Sequence, residues 1–321
     1  MDFVHNATTI ELLRQLKDRE VPEEPPQWKL PIPIWKKKLL NFEDPDFKGE
    51  FIDLITNGFH ICDKAELICT PSSANYRQTF DDWHDCFGKI NAKLEKGQAW
   101  GPFTEDNLPA GFENYQISNY FIKDERTKER PDKTRMLIDL SNNRDGDAVN
   151  DNIRKDEKTL AYITVMLIVK WIVDNNIQWL ASADAEDAFH RVPLWQNHIK
   201  YMGIRICGVM IFFTSIMMGL ASSCLSYTIF ADMLCWIICD EYAQLFIFND
   251  VRYLHHYLDD YLFGHQDKDV VWAQYRAILK LFKELNVPTQ IWKMIIPTQI
   301  LIYIGIVFDI VRRAGGISAP G

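Results

Sequence analysis

Two short stretches decide how this chain reads: Tyr257-Leu258-Asp259-Asp260 and Ser182-Ala183-Asp184-Ala185-Glu186-Asp187-Ala188-Phe189. Each sets Asp at the end of an apolar run, or in the turn beside it. The first sits inside a strand-turn-strand pattern over 251–264, and the second closes the run 177–184. Adjacent carboxylates repel, which costs stability unless something neutralises them. Hard divalent cations do so through oxygen ligands, octahedrally for Mg²⁺. Two such ions bridged by carboxylates can activate an attacking hydroxyl and stabilise a leaving pyrophosphate. Either stretch alone also fits an ordinary acidic turn. The combination is what points to metal chemistry.

Strands and helices alternate around these stretches. Residues 116–122 and 135–140 read as two strands, and the polar KDERTKERPDKT between them as an exposed hairpin tip. Residues 159–173 are apolar nearly all round, which predicts a buried helix. A β-hairpin-like pair is expected at 198–214, helices over roughly 219–245 and 268–285, and one final apolar strand over 300–308. Upstream, residues 1–20 suggest a short polar helix. Five prolines (Pro22, Pro25, Pro26, Pro31, Pro33) make 21–33 an extended linker. Lys36, Lys37 and Lys38 read as a solvated basic run. Over 72–96, Tyr76, Phe80, Trp83, Phe87, Ile90 and Leu94 draw one apolar stripe, with Ser72 or Ser73 as cap and Gly97 as stop. Asp81, Asp82 and Asp85 lie off the stripe, as a solvated face. No internal repeat is visible. The pattern indicates an α+β fold, a sheet covered by helices on one face.

Composition agrees with a globular chain: 321 residues, 47% apolar, 25% charged, 13% aromatic. The net charge of −9 argues at first against a phosphate-binding surface. Its largest share, however, lies in 51–120, with 5 basic against 10 acidic residues. Residues 121–321 hold 22 basic against 24 acidic residues, and five of those acids belong to the two stretches. Bound divalent ions would offset several of them. Seven cysteines form no C-x-x-C pair, which disfavours a zinc knuckle and suggests reduced core thiols. The N-terminus lacks a basic region followed by an apolar run, so no signal peptide and an intracellular setting are expected. The uncharged stretch 206–231 is long enough for a membrane span, but its Ser, Thr and Gly residues and its break at Met218-Gly219 favour a buried strand and a buried helix.

Tyr-Leu-Asp-Asp between two β-runs, with a second strand-end Asp upstream, resembles the palm of reverse transcriptases, whose hallmark is the YxDD box. The resemblance runs from about 97 to 309 and is strongest to retrotransposon enzymes of the DIRS type. It is carried by Gly97-Gln98-Ala99-Trp100-Gly101-Pro102-Phe103, Ile117-Ser118, Arg135-Met136-Leu137-Ile138-Asp139-Leu140-Ser141 and Val149-Asn150-Asp151. It implies a right-hand fingers–palm fold with an antiparallel palm sheet carrying the YxDD hairpin. On it, 1–50 is an N-terminal arm, 51–175 a fingers-type region, 176–309 the palm and 310–321 a tail. Only about 16 residues follow Gly305, too few for a thumb.

The resemblance also implies roles. Asp184, Asp259 and Asp260 become the catalytic ligands of two Mg²⁺ ions, with Mn²⁺ as a substitute. Ala185 lies beside the second metal. Asp187, Ala188 and Phe189 form the nucleotide pocket, and the ring of Phe189 rejects a ribose 2′-OH by clash. Arg135 and, across a long hairpin, Lys123 contact the triphosphate. Gly219 lets backbone approach the nucleotide. Lys293, in a segment resembling the end of the family palm, is a candidate proton donor to pyrophosphate. The partners implied are an RNA template, a DNA primer, dNTPs and further domains of a polyprotein, with no membrane. The chain departs from the family where Met217 and Cys224 replace two prolines, which predicts a less rigid pocket. A catalytically inactive relic, or a nucleic-acid-binding module on the same fold, is the alternative. An RNA-dependent RNA polymerase is disfavoured by Phe189 and Tyr257-Leu258.

Overall fold

Secondary structure follows the predicted alternation of elements, with corrections at both ends of the chain. The computed structural model describes residues 2–26, 29–69, 75–76, 79–128, 133–144, 146–154, 156, 160–311 and 317–318. In chain order these form α1 (Asp2–Lys17), α2 (Ile32–Lys38), α3 (Pro45–Asn57), α4 (Phe80–Glu95), β1 (Ala99–Phe103), β2 (Asn119–Asp124) and β3 (Thr134–Asp139). Then come α5 (Val165–Asp174), β4 (Trp179–Asp184), β5 (Gly203–Ile206), β6 (Val209–Phe213), α6 (Ser223–Glu241) and α7 (Ala243–Phe246). The chain continues with β7 (Ile247–Phe248), β8 (Val251–Arg252), β9 (Leu254–Tyr257), β10 (Asp260–His265) and α8 (Lys268–Glu284). It ends with β11 (Ile295–Thr298), β12 (Ile300–Tyr303), β13 (Ile306–Asp309) and β14 (Ile317–Ser318).

The chain divides into two compact units built from interleaved segments. These do not coincide with the contiguous regions expected from sequence. The first unit comprises Met1–Lys29, Asn57–Thr159 and Phe189–Ser223. Its sheet has the order β1-β6-β5, beside the antiparallel β2–β3 hairpin. The α4 stripe buries Phe87, Ile90 and Leu94. Its start is fixed by Thr79, whose side chain accepts from the Asp82 amide while Asp82 answers to the Thr79 amide. Asp82 is therefore a capping residue, the helix begins at Phe80, and the expected cap at Ser72 or Ser73 lies outside the described residues. The expected stop holds: Gly97 has φ +67°, a left-handed conformation that glycine adopts without Cβ strain.

The second unit comprises Leu30–Thr56, Leu160–Ala188 and Cys224–Gly321. Its main sheet, β11-β4-β10-β9, is antiparallel throughout. Tyr261, Leu262 and Phe263 of β10 are fully buried, which explains the unbroken apolar run after Asp260. Truncating Leu262 there would cost about 2–5 kcal/mol. The amphipathic α8 packs on β4, β10 and β11, burying Val271, Ile278, Leu281 and Phe282. Lys38, expected in a solvated run, instead pairs with Glu241 and Glu284.

Two further expectations fail. Helix α5 buries Ile168 and Trp171 but exposes Met166, Leu167 and Val173, so it is not sunk in the core on all sides. Residues 300–308 form a hairpin, β12–β13, rather than one strand, with Tyr303 opposite Ile306 across Ile304-Gly305. The stretch 206–231 holds β6 and the first half of α6. Helix α6 is long and apolar enough to cross a membrane by length and composition, and 56% of its most apolar window is buried within the structure.

Candidate active site

Antiparallel pairing of β4 with β10 runs unbroken from Trp179 opposite His265 to Asp184 opposite Asp260. Because register is one-for-one, the last residue of β4 and the first of β10 meet as a carboxylate pair. Strand β9 enters from the other side, Tyr257 opposite Asp260, leaving Leu258-Asp259 as a two-residue turn. The Asp259 carbonyl accepts from the Ala185 amide at 3.1 Å, and the Asp260 carbonyl from Tyr303 Oη at 2.8 Å. Residues 288–290 complete the frame. The Glu186 amide donates to the Pro288 carbonyl at 2.8 Å, and the Gln290 amide to the Asp184 carbonyl at 3.2 Å. This returning segment carries Lys293.

Electrostatics set the character of the cluster. Asp184 is 7% exposed, and burial raises its carboxyl above the usual range. Lys293 opposes that rise, with Nζ 3.3 and 3.2 Å from the two Asp184 oxygens. Asp260 is pushed up to about 6, chiefly by burial and then by the charges of Asp259 and Asp184. All-oxygen donors carrying unbalanced negative charge are the ligand type that hard divalent cations take. Among the described residues, no three His, Cys, Asp or Glu side chains are grouped closely enough to hold a metal ion. Lys293 supplies the positive charge on Asp184.

The second unit thus holds Asp184, Ala185, Asp187, Ala188, Asp259, Asp260 and Lys293, and among these Asp184, Asp260 and Lys293 converge. Asp187 takes a left-handed φ of 52°, reversing the chain after β4. The first unit holds Lys123, Arg135, Phe189 and Gly219. Lys123 and Arg135 face each other across β2–β3. Both bind Glu125, Lys123 at 3.4 Å and Arg135 at 2.9 Å, and Lys133 joins at 3.0 Å. Phe189 stands half-buried in a one-turn 3-10 segment, Ala188–Arg191, rather than sealed in a core.

Around Gly219, where a less rigid pocket is expected from sequence, the segment is hydrogen-bonded to its surroundings. Gly219 has φ +100°, and a Cβ there would meet the Ile138 carbonyl oxygen at 2.8 Å. Asn150 Nδ2 donates to the Gly219 carbonyl at 2.9 Å and to Ser141 Oγ at 2.8 Å, while its Oδ1 accepts from the Ala221 amide at 2.9 Å. Ser223 Oγ donates to the Met217 carbonyl at 2.7 Å. Hydrogen bonds thus hold the segment from Met217 to Ser223. Sequence reading assigned no role to Asn150, Ser223 or Glu125. The signal for Asn150 was present in Val149-Asn150-Asp151, without the partner that gives it a purpose.

No family model matches the chain, and no curated protein does. Solved structures do match. Residues covering 95% of the chain superpose on a foamy viral protease-reverse transcriptase in complex with double-stranded DNA, at TM-score 0.58 and 15% identity, over 50% of that protein. A further structure of the foamy viral protease-reverse transcriptase with double-stranded DNA matches at TM-score 0.57 and 15% identity, over 91% of this chain and 56% of that one. A third, with an RNA/DNA hybrid, matches at TM-score 0.56 and 13% identity, over 91% and 36%. The chain therefore spans about half or less of the proteins it matches. At these identities the likeness is one of architecture, and the chain has a reverse-transcriptase-like fold.

Proposed function

We propose that this chain is the core of an RNA-directed DNA polymerase of the retrotransposon type, joining dNTPs to a primer 3′-OH on an RNA template. The observation that carries the reading is the register of Asp184 against Asp260 beside the Asp259 turn. It concentrates carboxylates at strand ends within a reverse-transcriptase-like fold. Structural neighbours solved with DNA and with an RNA/DNA hybrid support nucleic-acid partners.

In this reading Asp184, Asp259 and Asp260 hold two Mg²⁺ ions, which when bound supply charge neutralisation and hydroxyl activation. Lys293 balances Asp184 in their absence and, once released, stands ready to give a proton to departing pyrophosphate. Arg135 and Lys123 hold the triphosphate through charge-assisted hydrogen bonds. Phe189 excludes the ribose 2′-OH, and Gly219, clasped by Asn150, presents backbone without side-chain bulk. Further domains of a longer protein would add grip on the template.

Primer extension on an RNA template with Mg²⁺ or Mn²⁺ tests the reading. Asp184→Asn and Asp259→Asn should each lower extension by at least about 100-fold. Activity surviving the double variant sinks it. A second reading, a catalytically inactive nucleic-acid-binding module, is favoured by the absence of a grouped metal-ligand set among the described residues. It predicts a folded chain that binds primer–template without extending it.

A further inference from the structure

The turn between β9 and β10 contains a backbone cost. Leu258 has φ 51°, the left-handed region, which costs a non-glycine residue about 1–2 kcal/mol. Such a residue persists only where its surroundings over-determine it. Packing leaves one side of this residue open. A cavity of about 140 Å³ lies against Leu258, walled by Tyr162, Thr228, Asp232, His255 and His256 among others.

Hydrogen bonding supplies the remaining constraint. His256, the third residue of β9, points its Nδ1 at the Leu258 carbonyl oxygen at 3.2 Å. Its Nε2 faces Asp232 Oδ1 at 2.9 Å, and Asp232 stands on α6. Both partners are acceptors, and a ring N–H donates to one or the other according to the tautomer, so the imidazole bridges the turn and the helix. The side chain is 8% exposed, while Asp232 is 59% exposed. The imidazole also lies against the Tyr261 ring, centroids 5.9 Å apart, on the strand opposite. It is thus held from α6, from β10 and by its own strand.

We propose that His256 is a positioning residue: with Asp232 it clamps the Leu258 carbonyl and so fixes the direction in which Asp259 and Asp260 are presented. Its effect on catalysis rests on the polymerase reading above. Its effect on the turn does not.

Three full-length variants test the clamp. In His256→Asn, the amide nitrogen takes the place of Nδ1 and keeps the Leu258 bond. His256→Phe keeps bulk and loses both bonds. Asp232→Ala removes the anchor alone. Hydrogen exchange across 254–262 should quicken by about tenfold in His256→Phe, less in Asp232→Ala, and by no more than about threefold in His256→Asn. In primer extension, His256→Phe should lower kcat by about tenfold with KM for dNTP within about twofold, and His256→Asn should recover most of the loss. Unchanged exchange in His256→Phe, or equal loosening in the Asn and Phe variants, overturns the clamp. If His256→Phe does not fold, the contrast between His256→Asn and Asp232→Ala decides. A wild-type chain that extends nothing defeats the polymerase reading, while the exchange comparison still settles the clamp.

Discussion

On the β2–β3 hairpin one carboxylate, Glu125, is bound by three cations, Lys123, Lys133 and Arg135. At the end of β4 the proportion inverts, with the single cation Lys293 acting on both Asp184 and Asp260. The settings differ as much as the counts. Glu125 is itself only 17% exposed, but its three partners reach into water, which screens the ion pairs, and the hydrogen bond from Lys133 leads the causes that lower its carboxyl. Asp184 is buried, and burial leads the causes that raise it. One region therefore has cations to spare at little cost. The other carries anionic charge that the fold tolerates at a cost. Stability alone explains neither arrangement. On the polymerase reading proposed above, both would be sites kept partly unbalanced for a ligand of opposite charge, a polyphosphate for the first and divalent cations for the second.

The sharpest way to break the comparison is to neutralise the acidic side. Asp260→Asn should lower primer extension by about 10–100-fold. It should also stabilise the protein in EDTA at pH 7.5. Asp260 sits at about 6 in the fold against an ordinary 3.8, so its carboxyl favours folding fully below about pH 3.8, and that benefit is lost as pH rises through about 6. The variant should therefore exceed wild type by about 1–2 kcal/mol at pH 7.5, after discounting for solvent screening, and by nothing near pH 4. Urea unfolding at the two pH values measures it. A variant less stable than wild type at pH 7.5 would mean the carboxylates are already balanced.

A smaller effect is expected on the basic side. Arg135→Ala should lower kcat/KM for dNTP by about tenfold, and Lys123→Ala by less, because a guanidinium makes directed, paired bonds where an ammonium is a point charge. Steady-state kinetics with varied dNTP separates them. Equal losses would mean that the hairpin acts through net charge alone.

The acidic side was far more legible in the sequence than the basic side. Asp184 and Asp260 close and open apolar runs, and once the runs pair antiparallel their meeting is fixed by the strand period. Lys123 and Arg135 stand out in the sequence as candidate cations, but Glu125 reads as one more charge in a polar tip. Nothing local says that a glutamate directly after a strand end will collect three cations, from β2, from β3 and from the residue before β3. Asn150 and Ser223 escaped for a related reason: each earns its role from a carbonyl far along the chain or hidden in a loop. The β12–β13 hairpin was missed because its turn places Ile304 at φ 45° before Gly305 at φ 78°. A β-branched residue there is a local outlier, so the sequence showed an apolar run where the fold makes a reversal. In α5 composition misled outright. Apolar residues all round the helix predicted burial, yet Met166, Leu167 and Val173 face outward.

The smallest effect comes from removing the carboxylate that the three cations share. Glu125→Gln should leave Tm within about 1 °C of wild type, since exposed ion pairs contribute little net stability. The consequence to look for is kinetic. Glu125 neutralises one of the hairpin's charges, so the glutamine variant presents a more positive surface to an anionic nucleotide. KM for dNTP should fall by about twofold, and the difference should fade as salt is raised, because the gain is long-range attraction screened over about 10 Å at 0.1 M. If KM rises instead, Glu125 serves chiefly to aim the Arg135 guanidinium, which it holds through Nε at 2.9 Å. The two outcomes separate a hairpin tuned by its charge from one tuned by its geometry.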